Sequence, residues 1–197
     1  MATPHPDFDR IAAICVELAK DVAKPFVGLG FRFAALKYAK SGDMLSGLGA
    51  MKAGGRINAA GSFSVIYTST DPKTAAAETF QNFAAFGFDL KKVRPKVVVG
   101  VEVKLAAVLD LSVPAIRRRL RLSLKDLAVD WWSEQEAGKE ALTQAVGRAA
   151  YAAGFEAVLL PSWRQKRGLN LNIFPKKLQA GSSVKIVAEA DLRAYLK

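Results

Sequence analysis

The chain has almost none of the residues on which metal and nucleophile chemistry depends. Its 197 residues include one cysteine, Cys15, and one histidine, His5. A single cysteine excludes an intramolecular disulfide framework. Zinc sites draw three or four ligands from Cys, His, Asp and Glu, so no metal site is expected. A Ser-His-Asp or Cys-His system would lack its base. His5 sits in a terminus expected to fray, and Cys15 falls on the apolar face of a helix, where it reads as a small buried hydrophobe. No apolar run reaches the roughly 18–20 residues that span a bilayer. Neither GxGxxG after a strand nor GxxxxGK[ST] occurs, which removes the Rossmann and P-loop routes to a nucleotide. The opening MATPHPDFDR puts acidic residues and proline before any apolar stretch, unlike a secretory signal, and a cytoplasmic location is expected.

What is present fits one globular domain. The chain is 51% apolar and 24% charged, an ordinary balance for a length that buries its own core. The formal net charge is +11, which suits nucleic acid, an acidic membrane surface, an acidic protein or an anionic small molecule. Two clusters stand out, Arg117, Arg118, Arg119 and Arg121, and Lys91, Lys92, Arg94 and Lys96. Each reads equally well as a solvated face. A nucleic-acid-binding module is therefore the competing functional class, although no helix-turn-helix or RNA-module pattern accompanies the charge.

Periodicity gives the elements. Phe8, Ile11, Ala12, Cys15, Leu18, Ala19 and Val22 recur at helical intervals, and Pro25 is expected to stop that helix. GFRFAAL reads as a strand with Phe31 and Phe33 on one face and Arg32 on the other. Residues 41–62, rich in Gly and Ser, read as a loop, and Phe63–Tyr67 as a short strand. Asp71 and Pro72 are a plausible N-cap and first helical residue for a helix to about Phe86. Val97–Val108 reads as a long strand, and Ser112 and Pro114 open a short helix bearing the arginine cluster. Leu142 to Ala153 form a helix closed by Gly154. Strands are expected at Phe155–Leu160, Leu169–Phe174 and Val184–Val187. Helices and strands intermingle without regular alternation, which predicts a single α+β domain with a mixed sheet.

The chemistry concentrates in GFRF, in GGRINAAGSFSVIYTSTDPKTAAAETF and in PSWRQKRGLNLNIF. From these come two guanidiniums, Arg32 and Arg56, the Tyr67 phenol, the Glu78 carboxylate and the Ser162 hydroxyl. Arginine forks suit a diphosphate. Arg56 follows two glycines that let backbone amides approach an anion, and Arg32 lies between phenylalanines, an odd place for a charge unless it lines a cleft. Glu78 could stabilise an oxocarbenium-like ribose, as carboxylates do in glycoside chemistry. Tyr67 could stack on a nicotinamide or ribose, and Ser162 could orient a carboxamide or Glu78. Each residue also has a plain reading: a loop arginine, a sheet-surface arginine, a surface helix glutamate, a core tyrosine and a turn serine. Together they suit an anionic, aromatic substrate whose reaction develops positive charge, with NAD+ as the obvious candidate.

The order FR, GGR-x-N-x-x-G, Y-T-S, A-x-E and a late P-S followed by G-x-N-L-x-I-F resembles the RES-domain family over roughly residues 28–189. Two details depart from that pattern: Ile57 replaces the usual aromatic after GGR, and PSWRQKRG is bulkier than the usual turn. The resemblance implies a sheet core similar to that of ADP-ribosyltransferase toxins. Residues 1–27 would add an N-terminal helix to the same domain, and 28–197 would form the RES domain. It implies NAD+ as a consumed substrate, with Glu78 and Ser162 in the catalytic roles and Arg32, Arg56 and Tyr67 binding the dinucleotide. It further implies the toxin of a toxin–antitoxin pair. Such a toxin would be a mono-ADP-ribosyltransferase acting on a protein, or else an NAD+ glycohydrolase or phosphorylase. Its partner would be an Xre-type antitoxin that occludes the active site, without direct contact to nucleic acid or membrane.

Overall fold

A computed structural model describes residues 2–35, 41–85 and 96–187. Seven helices occur among them: α1 (Phe8–Asp21), α2 (Ser41–Ser46), α3 (Leu48–Ala53), α4 (Pro72–Ala85), α5 (Pro114–Leu120), α6 (Trp131–Glu136) and α7 (Leu142–Ala152). Six strands accompany them: β1 (Lys24–Ala35), β2 (Ile66–Ser69), β3 (Lys96–Asp110), β4 (Ala157–Pro161), β5 (Leu169–Ile173) and β6 (Ser183–Ile186). The sheet runs β1-β2-β5-β4-β3-β6, and β1 also pairs with β3. Five strands thus close into a barrel-like ring with β6 alongside β3. The β3–β4 pair is parallel and the other pairs are antiparallel. The mixed α+β architecture expected from the sequence is the one found.

β3 shows how the sequence makes the ring. Val99, Val101, Val103 and Leu105 are buried at every second position, the alternation of a strand with one face on a core. The parity then slips. Three steps of β3, from Leu105 to Val108, stand against two of β1, from Phe26 to Lys24, which is a bulge. Pro25 falls at this irregularity, where a residue without an N–H costs the ladder nothing. Helix α1 accordingly ends at Asp21 and the chain is already a strand at Lys24, well before the expected start.

A bulge leaves amides without ladder partners, and here a carboxylate takes them. Glu156, fully buried, accepts the N–H groups of Ala106 and Ala107 on Oε2, and that of Gln179 on Oε1 at 2.6 Å. Burial pushes this carboxyl up, and the hydrogen bonds from Gln179, Ala107 and Ala106 more than offset it, so it lies below its ordinary value. Glu156→Gln can keep a carbonyl oxygen on Ala106 and Ala107 only by turning its NH2 toward the Gln179 N–H, a donor facing a donor. A loss of about 2 kcal/mol is expected. A depressed folded-state carboxyl contributes stability above the unfolded carboxyl's titration range and loses it as pH falls through the folded value. Thermal melts should therefore show the gap between wild type and variant at neutral pH and show it closing in acid.

Two apolar clusters hold the fold. One fills the ring with β3 valines, Leu171 and Ile173. The other lies under α1, α5 and α7, with Ile11, Cys15 and Leu18 meeting Leu111, Leu120 and Val146. Cys15 is buried there as expected, and burial pushes its thiol up to about 12. The N-terminus is tied down rather than frayed. Thr3 bridges Lys139, and the His5 N–H donates to Glu140 Oε2 at 2.9 Å. Glu140 also takes both ends of the Arg148 fork at 2.7 Å, and the Arg148 guanidinium lies 3.2 Å over the Phe8 ring.

The expected loop over 41–62 contains α2 and α3. Six-residue helices are too short to show a period, and they persist because Met44 is buried in the ring's core cluster. The expected strand at Phe63–Tyr67 is displaced to Ile66–Ser69. Phe63 owes its apolar character to packing rather than pairing: it stacks on Tyr151 and meets Phe174 edge-on. Asp71 does cap α4, accepting the Thr74 N–H at 2.9 Å. Among the described residues no helix is long and apolar enough to cross a membrane.

Candidate active site

A cavity of about 440 Å³ opens beside β1, β2 and α4, and Arg32, Arg56, Tyr67, Glu78, Trp131 and Asn170 stand in its wall. That size is ordinary for a small-molecule site. Four of the five residues singled out in the sequence line it. The fifth, Ser162, is not in the wall and reaches Glu78 from behind.

Glu78 is held on one side. Its Oε1 accepts the Ser162 hydroxyl at 2.6 Å and the Asn170 amide at 2.7 Å. The Ser162 oxygen in turn accepts the N–H groups of Arg164 and Gln165 at 3.1 and 3.0 Å, so its proton is directed at the carboxylate. Among the described residues no hydrogen bond falls on Oε2. Of the two orientations open to Ser162, a carboxamide or Glu78, the geometry has the second.

The two arginines are half-buried cations of different kinds. Arg32 donates from Nη1 to the Met44 carbonyl at 2.6 Å, one of the orphan acceptors in the last turn of α2. Its Nε is buried and without a partner among the described residues, and burial lowers the guanidinium below its ordinary value. A buried donor left unsatisfied is costly and calls for an acceptor. Arg56 spends Nη1 on the carbonyls of Leu127 and Val129, at 3.0 and 2.9 Å. Burial lowers it too; Glu78 and Tyr67 work against that, and Arg164 works with it.

Residues 31–195 match the family model of the RES domain. The chain belongs to the RES-domain family. It is also similar to a chain in the crystal structure of the M. tuberculosis MbcT–MbcA toxin–antitoxin complex, at 22% identity and a TM-score of 0.70, over 95% of this chain and 97% of that one. At that identity the likeness is one of fold. No curated protein matches the chain.

In this RES domain the glycine turn is built around an asparagine. Asn58, fully buried, donates to the Ala50 and Phe63 carbonyls and accepts the Tyr67 hydroxyl at 2.9 Å. The Tyr67 oxygen also accepts the Ile57 N–H at 2.9 Å. Tyr67 thus presents its ring to the cavity while its hydroxyl fixes the turn, and burial pushes that phenol well above its ordinary value. Gly55 has to be glycine because a Cβ there would stand 2.4 Å from the Tyr67 oxygen. From the other side Gln144 donates to the Gly55 carbonyl at 3.1 Å, and Gln135 accepts the Ala60 N–H at 3.2 Å.

Sequence reasoning passed over Asn58, Ser69, Trp131, Gln144 and Asn170. Asn58 and Asn170 sat in plain view inside GGR-x-N and G-x-N, carrying no role. The arginine cluster on α5 is largely committed locally: Arg117 donates to the Leu111 and Ser112 carbonyls at 2.6 and 2.8 Å, and Arg119 pairs with Asp21 and Glu17. The side chains of the other cluster, Lys91, Lys92, Arg94 and Lys96, lie outside the described residues.

Proposed function

We propose that this RES domain cleaves NAD+ at the bond between nicotinamide and ribose, and that it does so as the toxin of a toxin–antitoxin pair. The observation that carries the reading is one cavity in whose wall two half-buried guanidiniums stand with a carboxylate whose second oxygen takes no hydrogen bond among the described residues. In this reading Arg32 and Arg56 take the diphosphate, Arg32 finding there the acceptor its Nε lacks. The Tyr67 ring packs against the ribose or nicotinamide. Glu78 faces the ribose, whose C1′ becomes cationic as the C–N bond breaks. The bonding pair goes to the ring nitrogen, so nicotinamide leaves neutral and needs no general acid. The cation is then captured by an acceptor that loses a proton.

That acceptor is a protein side chain in the reading preferred here, which makes the chain a mono-ADP-ribosyltransferase. Water or phosphate at the same carbon would make it a glycohydrolase or phosphorylase. The toxin–antitoxin role is supported by family membership and by the likeness to a chain of the MbcT–MbcA complex. We place the action in the cytoplasm, with an Xre-type antitoxin closing the cavity. The nucleic-acid reading is less favoured, with Arg117 and Arg119, two of the four arginines in the cluster, bound to their own chain.

The test is incubation of antitoxin-free protein and a bacterial lysate with NAD+ labelled in its ADP-ribose portion. Label on protein supports transfer, soluble labelled ADP-ribose or its phosphate supports the alternatives, and intact NAD+ overturns the enzyme. Arg56→Lys gives a second check. Lysine keeps the charge and loses the fork, so KM for NAD+ should rise about tenfold or more while kcat changes less. A KM equal to that of the wild type would remove Arg56 from substrate binding.

A further inference from the structure

Glu78 receives two donors on one oxygen, and the second has an arrangement of its own. Ser69 and Asn170 are directly opposed in the β2–β5 ladder. The Ser69 hydroxyl donates to Asn170 Oδ1 at 2.8 Å, and Asn170 Nδ2 donates to Glu78 Oε1 at 2.7 Å. A cross-strand polar pair is common in sheets, but here both ends of the amide are taken and they are taken in an order. A carboxylate offers no proton, so the NH2 end has to face Glu78 and the carbonyl end has to face a donor. Ser69, buried at 3% exposure, is that donor. Were the amide to turn over, its carbonyl would meet the carboxylate and its NH2 the serine.

We infer that Ser69 and Asn170 are positioning residues that act as a relay: the serine fixes the orientation of the Asn170 amide, and the amide fixes the plane in which the Glu78 carboxylate stands toward the cavity. Ser162 acts on the same oxygen from the turn after β4. Glu78 is therefore held from two neighbouring elements, the end of β4 and the paired start of β5, while among the described residues no hydrogen bond falls on Oε2, the oxygen that faces the ribose in this reading. A carboxylate that is free to rotate would spend part of its time with its plane turned away from the ribose, so the relay pre-organises the charge that the cationic transition state meets. The inference rests on the NAD+-cleaving reading for its kinetic consequences and on the hydrogen bonds alone for its geometry.

Asn170→Asp and Ser69→Ala test it. Aspartate puts a second carboxylate against Glu78, and two carboxylates at hydrogen-bond distance cannot both ionise freely. The acid limb of the kcat profile for NAD+ cleavage should move to higher pH by about one unit or more. At neutral pH kcat should fall about tenfold or more with KM little changed. Ser69→Ala frees the amide without adding charge, so it should lower kcat about threefold or more and leave the acid limb where it was. Melting temperatures read alongside separate this from a loss of fold. If wild-type protein cleaves NAD+ while Asn170→Asp keeps both the wild-type kcat and the wild-type acid limb, the relay is wrong and the enzyme reading stands. Should the wild type leave NAD+ intact, the geometry is read from the Asn170 side-chain NH2 signals in a ¹⁵N–¹H spectrum, assigned by their loss in Asn170→Asp. Titration with pH in wild type that disappears in Glu78→Gln supports the contact; the same response in both proteins overturns it.

Discussion

Glutamine in place of Glu78 is expected to leave the fold intact and to lower NAD+ turnover by about 100-fold or more, a transition-state loss of about 2.7 kcal/mol. The two effects separate because of where the hydrogen bonds fall. Ser162 and Asn170 both donate to Oε1, and a glutamine can keep its carbonyl oxygen in that place. The new NH2 then occupies the position of Oε2. A neutral donor stands where a negative acceptor stood, facing the carbon on which positive charge develops. In the proposed reading substrate binding falls to the two arginines and should persist. Initial rates, NAD+ binding and a thermal melt on the same preparation give the three readouts. Turnover within about threefold of wild type would take the carboxylate out of the chemistry.

How much of this a sequence can carry depends on the range of the signal. β3 and α7 were legible because their periods run long enough to be unambiguous: alternate valines in one, Ala145, Val146, Ala149 and Ala150 in the other. α4 was announced by Asp71 and Pro72 before its first turn. α2 and α3 had no such markers, and the composition around them argued for a loop. What holds α2 is Met44 in the ring and the Arg32 bond to its carbonyl, and α3 is held through the Ala50 and Met51 carbonyls, which accept from Asn58 and from the Gly61 N–H. The site divides in the same way. Arg32, Arg56, Tyr67 and Glu78 each had a plain reading alone and became legible as a set through the motif order that resembles the RES-domain family, and the fold brings them to one cavity wall. Asn170 was not, because a polar residue at alternate positions of a strand reads as facing outward. Its meaning comes from a register, Ser69 opposite Asn170, that no local pattern encodes. Asn58 and Gln144 are similar: each serves backbone groups of a turn that the sequence shows only as glycine.

Gly147→Ala is expected to damage both the fold and the site, although alanine is the better helix former. Gly147 lies within α7, fully buried, with the glycine turn seated on it. A Cβ there would stand 1.9 Å from the Ile57 carbonyl oxygen and 2.3 Å from its Cγ2. The nearer atom belongs to the backbone, so no change of rotamer relieves the contact. Either α7 or the turn has to move. Helix propensity favours the alanine by about 1 kcal/mol, while forcing extra volume into a packed core costs about 1–3 kcal/mol and more where backbone must shift. The clash wins. Moving the turn also breaks the Ile57 N–H bond to the Tyr67 hydroxyl and displaces Arg56, the preceding residue, from the carbonyls of Leu127 and Val129. The position that follows Arg56 is therefore constrained from below, the Ile57 side chain lying against a helix with no Cβ at the contact. The variant should melt several degrees below wild type, at about 2–4 °C per kcal/mol for a chain of this size, and should bind NAD+ much more weakly even where it remains folded. A Gly147→Ala protein with wild-type melting temperature and wild-type NAD+ affinity would show that the turn is not seated on α7 in the way described.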